Sequence, residues 1–328
     1  MRNKRLLYFD SDARALRVAE RALKATGSDV TALRDLGELA NAVERGGWDL
    51  VMISIDRLPE ENAQLAAILE RAEHGFPKTR VILHATGATE EYIPLLNRRP
   101  ALSNMIAKNE EPLEPEELIV TAEKLLRQDI FGIDKYMLWG IEPMAIPIRE
   151  SAEKLDYVGA VASYARSLGC NERLIELIET IVDEIVTNAI YNAPRGRDGE
   201  PKYAMRSRRE PVSLEEHEVG ELQFACDGDY IALAQLDPFG ALTRDAVLTY
   251  LSRCLTRGPA ASFSNASGGA GLGLYRVFRS LSKFIINIDP GHKTEVICLI
   301  DLRMSMKRFR QSAKSFHIFV KDDQSRAR

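Results

Sequence analysis

The sequence predicts an α/β protein of two domains, a doubly wound five-stranded parallel sheet followed by an α/β sandwich. Three observations predict it. Short apolar runs alternate with helical stretches through residues 1–127; helices and strands fall into separate runs through residues 128–328; and 328 residues is about twice the length of a usual domain. The chain is 45% hydrophobic and 28% charged, an ordinary globular mixture. A net charge of −4 gives no reason to expect nucleic acid or an anionic membrane as partner.

The first domain is expected to begin with a strand in "RLLYFD", followed by the helix "ARALRVAERALKATG", whose apolar spacing is helical and which stops on glycine. "DVTALRD", the helix "LGELANAVERGG" and the buried run "DLVMISID" come next. "ENAQLAAILERAE", "TRVILHATG", "SNMIAK" and the helix "PEELIVTAEKLLRQ" complete five strands separated by helices. That order implies a parallel sheet covered on both faces, with its working site at the carboxyl ends of the strands. Asp10 and Asp12 close the first strand there, Ser54 and Asp56 the third, His84 the fourth and Lys108 the fifth. A boundary near residues 127–135 is expected, where the charged helix gives way to "FGIDKYMLWG".

In the second domain an extended "MLWGIEPMAIPI" leads to two helices, "ESAEKLDYVGAVASYARSLG" and "NERLIELIETIVDEIVTNAIYNAP". Leu174, Ile178, Ile181 and Ile185 form the apolar stripe of the latter, and the stripe runs on into Asn188 and Asn192. Glu184 lies about 40° around the helix from Asn188 at 100° per residue. Polar groups on a core-facing stripe are costly unless hydrogen-bonded or coordinating, so three together point to a site. "DYIALAQLDPFGALT" reads as a strand that breaks at Asp237, and "DAVLTYLSRCLTRG" as a helix. "SGGAGLGLYRVFRS" then packs four glycines into seven positions before turning helical, which suits a loop whose backbone amides face oxygen anions. "KFIINIDP", "KTEVICLIDL" and "KSFHIFV" read as closing strands.

The first domain resembles the receiver domain of two-component response regulators. In that family an acidic pair binds Mg²⁺, an aspartate ending the third strand accepts phosphate and a fifth-strand lysine touches the phosphoryl group; Asp10, Asp12 and Lys108 match. The acceptor position, counted from Asp49, holds Ser54, and Asp56 serves only if the strand carries an extra residue. His84 replaces the usual Ser/Thr of strand four, and Asn109 the proline after the lysine. Two readings stand: a pseudo-receiver silent to phosphorylation, and an active one using Asp56.

The second domain resembles the GHKL ATPase superfamily over residues 145–302. Glu184 and Asn188 match the box that supplies a base and a Mg²⁺ ligand, with Asn192 beside them. Asp237 and Gly240 resemble the box that reads the adenine amino group, although "DPFG" carries one residue more than D-x-G. Gly269, Gly271, Leu272 and Gly273 match the glycine-rich box, and Thr294 stands where the family has a threonine near adenine. The resemblance implies ATP and Mg²⁺ as cofactors. None of the five histidines lies on the helix from Glu150 to Gly169, so histidine autokinase activity is not expected. "DEIVTNAIYNAP" looks like the anti-sigma-factor serine kinases, which implies a serine-bearing signalling protein as partner and admits a homodimer. Two functions remain open: a protein serine/threonine kinase, and a nucleotide-dependent module that sequesters a partner without transferring phosphate. A nucleotide-free adaptor is the third. Four scattered cysteines, Cys170, Cys226, Cys254 and Cys298, read as free thiols of a cytoplasmic protein. No apolar run approaches the ~18–20 residues of a membrane span.

Overall fold

A computed structural model describes residues 4–75, 80–108, 114–257, 270–305, 308–309 and 312–322. The chain divides into two compact units, Met1–Ile130 together with Gln311–Arg328, and Phe131–Arg310.

The first unit runs β1 (Arg5–Phe9), α1 (Ala13–Lys24), β2 (Asp29–Leu33), α2 (Leu36–Arg45), β3 (Leu50–Ile55), α3 (Ala63–Gly75), β4 (Val81–Ala85), α4 (Thr89–Arg98), β5 (Leu102–Ala107) and α5 (Pro115–Arg127). The strands form a parallel sheet in the order β2-β1-β3-β4-β5. β3 and β4 are buried along their whole length, as strands covered on both faces must be. Local chemistry sets the helix starts. Asp12 accepts from the backbone N–H groups of Arg14 and Ala15 to cap α1, Asp35 caps α2 in the same way, and Pro115 opens α5.

A sixth strand, β11 (Ser315–Val320), joins this sheet antiparallel to β5, with Phe316 opposite Met105 and His317 opposite Asn104. Gln311–Arg328 therefore belongs to the first unit and not to the second domain expected over 128–328, and the first sheet is mixed where a purely parallel five-stranded one is expected. "KSFHIFV" follows two strands closely in sequence, and consecutive strands are usually neighbours, which favours the second unit. Burial decides the matter. Phe316, Ile318 and Phe319 are fully buried, and the seam is closed by polar pairs: Thr89 Oγ1 donates to Lys314 O at 2.6 Å, Ser315 Oγ accepts from Ala107 N at 3.0 Å, and His317 lies 3.3 Å from both Asn104 and Glu117. The β5 edge, which unpaired would offer free N–H and C=O groups, is covered.

The second unit runs β6 (Met144–Ile148), α6 (Lys154–Ser167), α7 (Glu172–Thr187), a π-helical turn (Asn188–Asn192), β7 (Gly220–Cys226), β8 (Tyr230–Asp237), α8 (Arg244–Arg257), α9 (Ala270–Arg279), β9 (Lys283–Asp289) and β10 (Lys293–Asp301). Its sheet order is β9-β10-β8-β7-β6, every neighbouring pair antiparallel. The expected stripe Leu174, Ile178, Ile181 and Ile185 is buried; α7 packs on α6 and α9 and reaches β8. No helix among the described residues is long and apolar enough to cross a membrane.

Phe319→Ala is expected to destabilise the first unit by about 3–5 kcal/mol, the usual cost of emptying a buried aromatic site. Denaturant titration followed at Trp48, which is buried in that unit with its indole N–H on Ala42 O, checks this. An unchanged Trp48 midpoint would detach β11 from that core.

Candidate functional site

In the first unit the register carries Phe9 opposite Ile53 and Ser54 opposite His84, so Asp10, Ser54 and His84 come together at the carboxyl ends of β1, β3 and β4. This is where the strand order reverses. Lys108 reaches into the group: its Nζ lies 3.2 Å from both Asp10 carboxylate oxygens, 3.0 Å from Ser54 Oγ and 3.5 Å from Asp56 Oδ1. Asp10 and Ser54 are buried, whereas the Asp56 side chain is 60% exposed. The sequence reading missed Tyr8, two residues before Asp10 and hence on the same face of β1. Its Oη is 3.0 Å from His84 Nδ1 and 3.4 Å from Asp10 Oδ2. Burial, then the Asp10 charge, pushes the Tyr8 phenol up and keeps it neutral. Burial, followed by the Lys108 charge, holds His84 down at about 4, so the ring is uncharged at neutral pH. A proton on Nδ1 completes a chain from His84 through Tyr8 to Asp10 and leaves Nε2, which has no partner, as an acceptor.

Asp12 lies within reach of the Lys108 charge but is engaged by the start of α1. Its Oδ1 caps α1, and the amides of Ala15 and Arg14 hold its carboxyl below the usual range. These residues do not fit a Mg²⁺ site. Asp10 is neutralised by Lys108 and accepts from Asp12 N at 2.9 Å, Asp12 is engaged by backbone, and Ser54 offers a hydroxyl where a carboxylate is needed. Among the described residues no three His, Cys, Asp or Glu side chains gather in a metal-holding group.

In the second unit α7 ends at Thr187, and the next turn is π-helical, closed by Ala193 N on Asn188 O at 3.0 Å. Such turns are frequent at functional sites. Asn192 Nδ2 donates to Asn188 Oδ1 at 2.7 Å, so the two amides share one bond. Glu184, one turn earlier, is partly buried; burial and then the Asp183 charge raise its pKa, which suits proton acceptance. Arg276 of α9 stands 3.8 Å from it. Gly271, Leu272 and Gly273 lie in the first turn of α9; Gly269 and most of the preceding Ser/Gly-rich loop lie outside the described residues.

Asp237 ends β8 and Thr294 stands opposite it in β10. Both are buried. Burial raises the Asp237 pKa against the pull of the Phe239 amide, which donates to Oδ1 at 3.1 Å. Oδ2 takes a long contact, 3.5 Å, from Gln235. The Gly240 amide and the Thr294 hydroxyl lie close enough to lower the carboxyl's pKa by weak hydrogen bonding, although the hydroxyl completes no hydrogen bond of full geometry with any described residue. Gly240 has φ +57°, and a Cβ there would sit 2.0 Å from Asp289 O in the β9–β10 turn, so this glycine is required by backbone packing. The carboxylate and the unpartnered hydroxyl fit an adenine edge, and the amide oxygen of Asn188 is of the class that Mg²⁺ takes.

No protein-family model matches the chain, and no curated protein matches it. Solved structures similar to its N-terminal part include a response regulator from Thermotoga maritima, 17% identical over 38% of this chain and 99% of that one, TM-score 0.32. A CheY-like response regulator receiver domain protein from Methanospirillum hungatei JF-1 is 22% identical over 39% and 96%, TM-score 0.33. A sensor protein from Polaromonas sp. JS666 is 16% identical over 39% and 98%, TM-score 0.32.

The depressed His84 predicts acid sensitivity with a defined sign. Below pH 6.5 the unfolded chain takes a proton that the folded ring refuses until about pH 4, so stability falls across that window as pH drops. Between pH 7 and 5 the loss from this group is about 2 kcal/mol. Urea titrations at both pH values, read at Trp48, should show it in the wild type and not in His84→Gln; an equal loss in the variant would remove His84 as the cause.

Proposed function

We propose that the Phe131–Arg310 unit binds ATP, with the adenine amino group on Asp237 and the phosphates toward Asn188 and the glycine-rich start of α9. In this reading the chain is a signalling protein of the GHKL type, closest in kind to the anti-sigma-factor serine kinases, joined to a receiver-like unit that does not take phosphate. The observation that carries it is the buried pair at the end of the sheet. A desolvated carboxylate held by two amides and two weak side-chain contacts, beside a hydroxyl that completes no full hydrogen bond among the described residues, suits a ligand that both donates and accepts, as the amino group and ring nitrogen of adenine do. The strand and helix order β6-α6-α7-β7-β8-α8-α9-β9-β10 supports the resemblance already drawn from the four sequence boxes.

The residues divide the work by chemistry. Asp237 and Thr294 orient the base. Asn188 would hold Mg²⁺, which with ATP supplies charge neutralisation and the transferable phosphoryl group. Glu184, whose raised pKa comes from burial and Asp183, is placed by composition to take the proton of a partner's serine hydroxyl. A second reading, a nucleotide-dependent binding module without transfer, draws on the Arg276–Glu184 ion pair, which occupies the base. For the receiver-like unit, silence follows from Ser54 at the buried acceptor position and Lys108 bound to Asp10.

Calorimetric titration of the full chain with ATP, with and without Mg²⁺, tests the reading. Binding in the micromolar range is expected for the wild type, with a loss of about tenfold or more in Asp237→Asn, which presents a donor to a donor. Equal affinity in the variant would remove the adenine assignment, and no binding at millimolar ATP would remove the ATPase-type reading altogether.

A further inference from the structure

We propose that Arg208, which stands on no nucleotide-binding box of the sequence, is a phosphate-binding residue of this site and sets its preference for phosphorylated nucleotides over adenosine. The inference rests on the nucleotide reading above.

Arg208 belongs to the segment between the π turn and β7, far from Asn192 along that connection yet folded back onto it. Its guanidinium lies 4.2 Å over the ring of Tyr191 and donates to Asn192 Oδ1 at 3.3 Å. Stacking fixes the plane of the fork, so few further degrees of freedom are lost when it grips a ligand. The group is partly desolvated, which pulls its pKa down, while Glu184 is near enough for each charge to act on the other. No carboxylate among the described residues pairs with it within 4.0 Å. The neighbouring cations differ: Lys154 is 2.6 Å from Asp183, Arg276 is 3.8 Å from Glu184, and Lys202 is bound by Glu215 and Glu218.

A guanidinium carries five donors, and a neutral amide uses one. A cation oriented by stacking, with Glu184 as its nearby charge but no ion pair within 4.0 Å among the described residues, is matched by an anion with several acceptor oxygens. Phosphate is the class that fits, because its oxygens meet the fork two at a time. Asp183 and Glu184 at the end of α7 would repel a polyphosphate, and their own partners, Lys154 and Arg276, are already committed to them. Arg208, which forms no ion pair among the described residues, can offset that repulsion. Tyr191 and Asn192, on the turn that also carries Asn188, are its mount.

The experiment is calorimetry of the full chain with adenosine, ADP and ATP, on the wild type, Arg208→Ala, Arg208→Lys and the neighbouring control Arg209→Ala. The wild type should bind ATP more tightly than adenosine. Arg208→Ala should weaken ATP by about tenfold or more and leave adenosine unchanged, as loss of a charge-assisted bond requires. Arg208→Lys should recover only part, since an ammonium neither stacks nor forks, and Arg209→Ala should match the wild type. ATP affinity unchanged in Arg208→Ala, in a chain whose wild type distinguishes ATP from adenosine, overturns the role of Arg208 alone. An equal loss for adenosine and ATP overturns it too, as a structural effect on the Tyr191 turn. A wild type that binds none of the three overturns this inference and the nucleotide reading together.

Discussion

The second unit depends on the register between β8 and β10. Antiparallel pairing runs without a break from Asp301 opposite Tyr230 to Thr294 opposite Asp237. A slip of one residue would turn every side chain of one strand to the other face, exchanging buried Val296, Ile297, Cys298 and Leu299 for positions they cannot occupy. The same lock brings a carboxylate and a hydroxyl side by side at the strand ends. Gly240 extends it: the turn after Asp237 presses so closely on the β9–β10 turn that no side chain fits between them, and Gly291 N donates to Gly240 O at 3.1 Å. The extra residue in "DPFG" is therefore accommodated by backbone contact to the neighbouring hairpin, with the aspartate still at the end of its strand.

The first unit solves a different electrostatic problem. Buried Asp10 needs a counter-charge, and Lys108 supplies it from the end of β5 while also bonding Ser54. Tyr8 and a neutral His84 fill out the pocket with groups that share protons and carry no charge. Each part supports the next. Lys108 near His84 helps keep the imidazole uncharged, and an uncharged ring leaves the ammonium to Asp10 and Ser54 without competition.

Much of this was legible in sequence, and the limits are physical. Strand ends are marked by where an apolar run stops, so Asp10, Ser54, His84 and Lys108 could be put on one edge, and Asp237 at the end of a strand in the second unit, from pattern alone. The α7 stripe was readable for the same reason, because burial and the 3.6-residue period agree. A capping aspartate and a metal-binding one look alike on the page, and only the structure shows the amides of Arg14 and Ala15 on Asp12 Oδ1. The partner of β11 was unreadable because "SFHIFV" states that a strand is buried on both faces and says nothing of which sheet buries it. The switch from α to π geometry at Asn188 breaks the extrapolated 100° step, and Arg208 comes from a connection with no periodicity at all.

The two constellations differ in what they leave over. At the carboxyl ends of β1, β3 and β4 the central acid has its base, the hydroxyl has its ammonium, and the imidazole's one unpartnered nitrogen is an acceptor, the cheaper kind of group to leave buried. Among the described residues of the second unit the remainders are a buried hydroxyl with no full hydrogen bond, a desolvated carboxylate with long side-chain contacts, and an exposed stacked guanidinium bonded to an amide. An unmade bond to a buried or desolvated group costs more than a made one yields. Leaving such groups buried near the strand ends is therefore a standing destabilisation. By the same reasoning a self-neutralised site gains little from any ion. The first constellation thus closes its charges internally, whereas the second holds more of the unmet hydrogen-bonding capacity among the described residues.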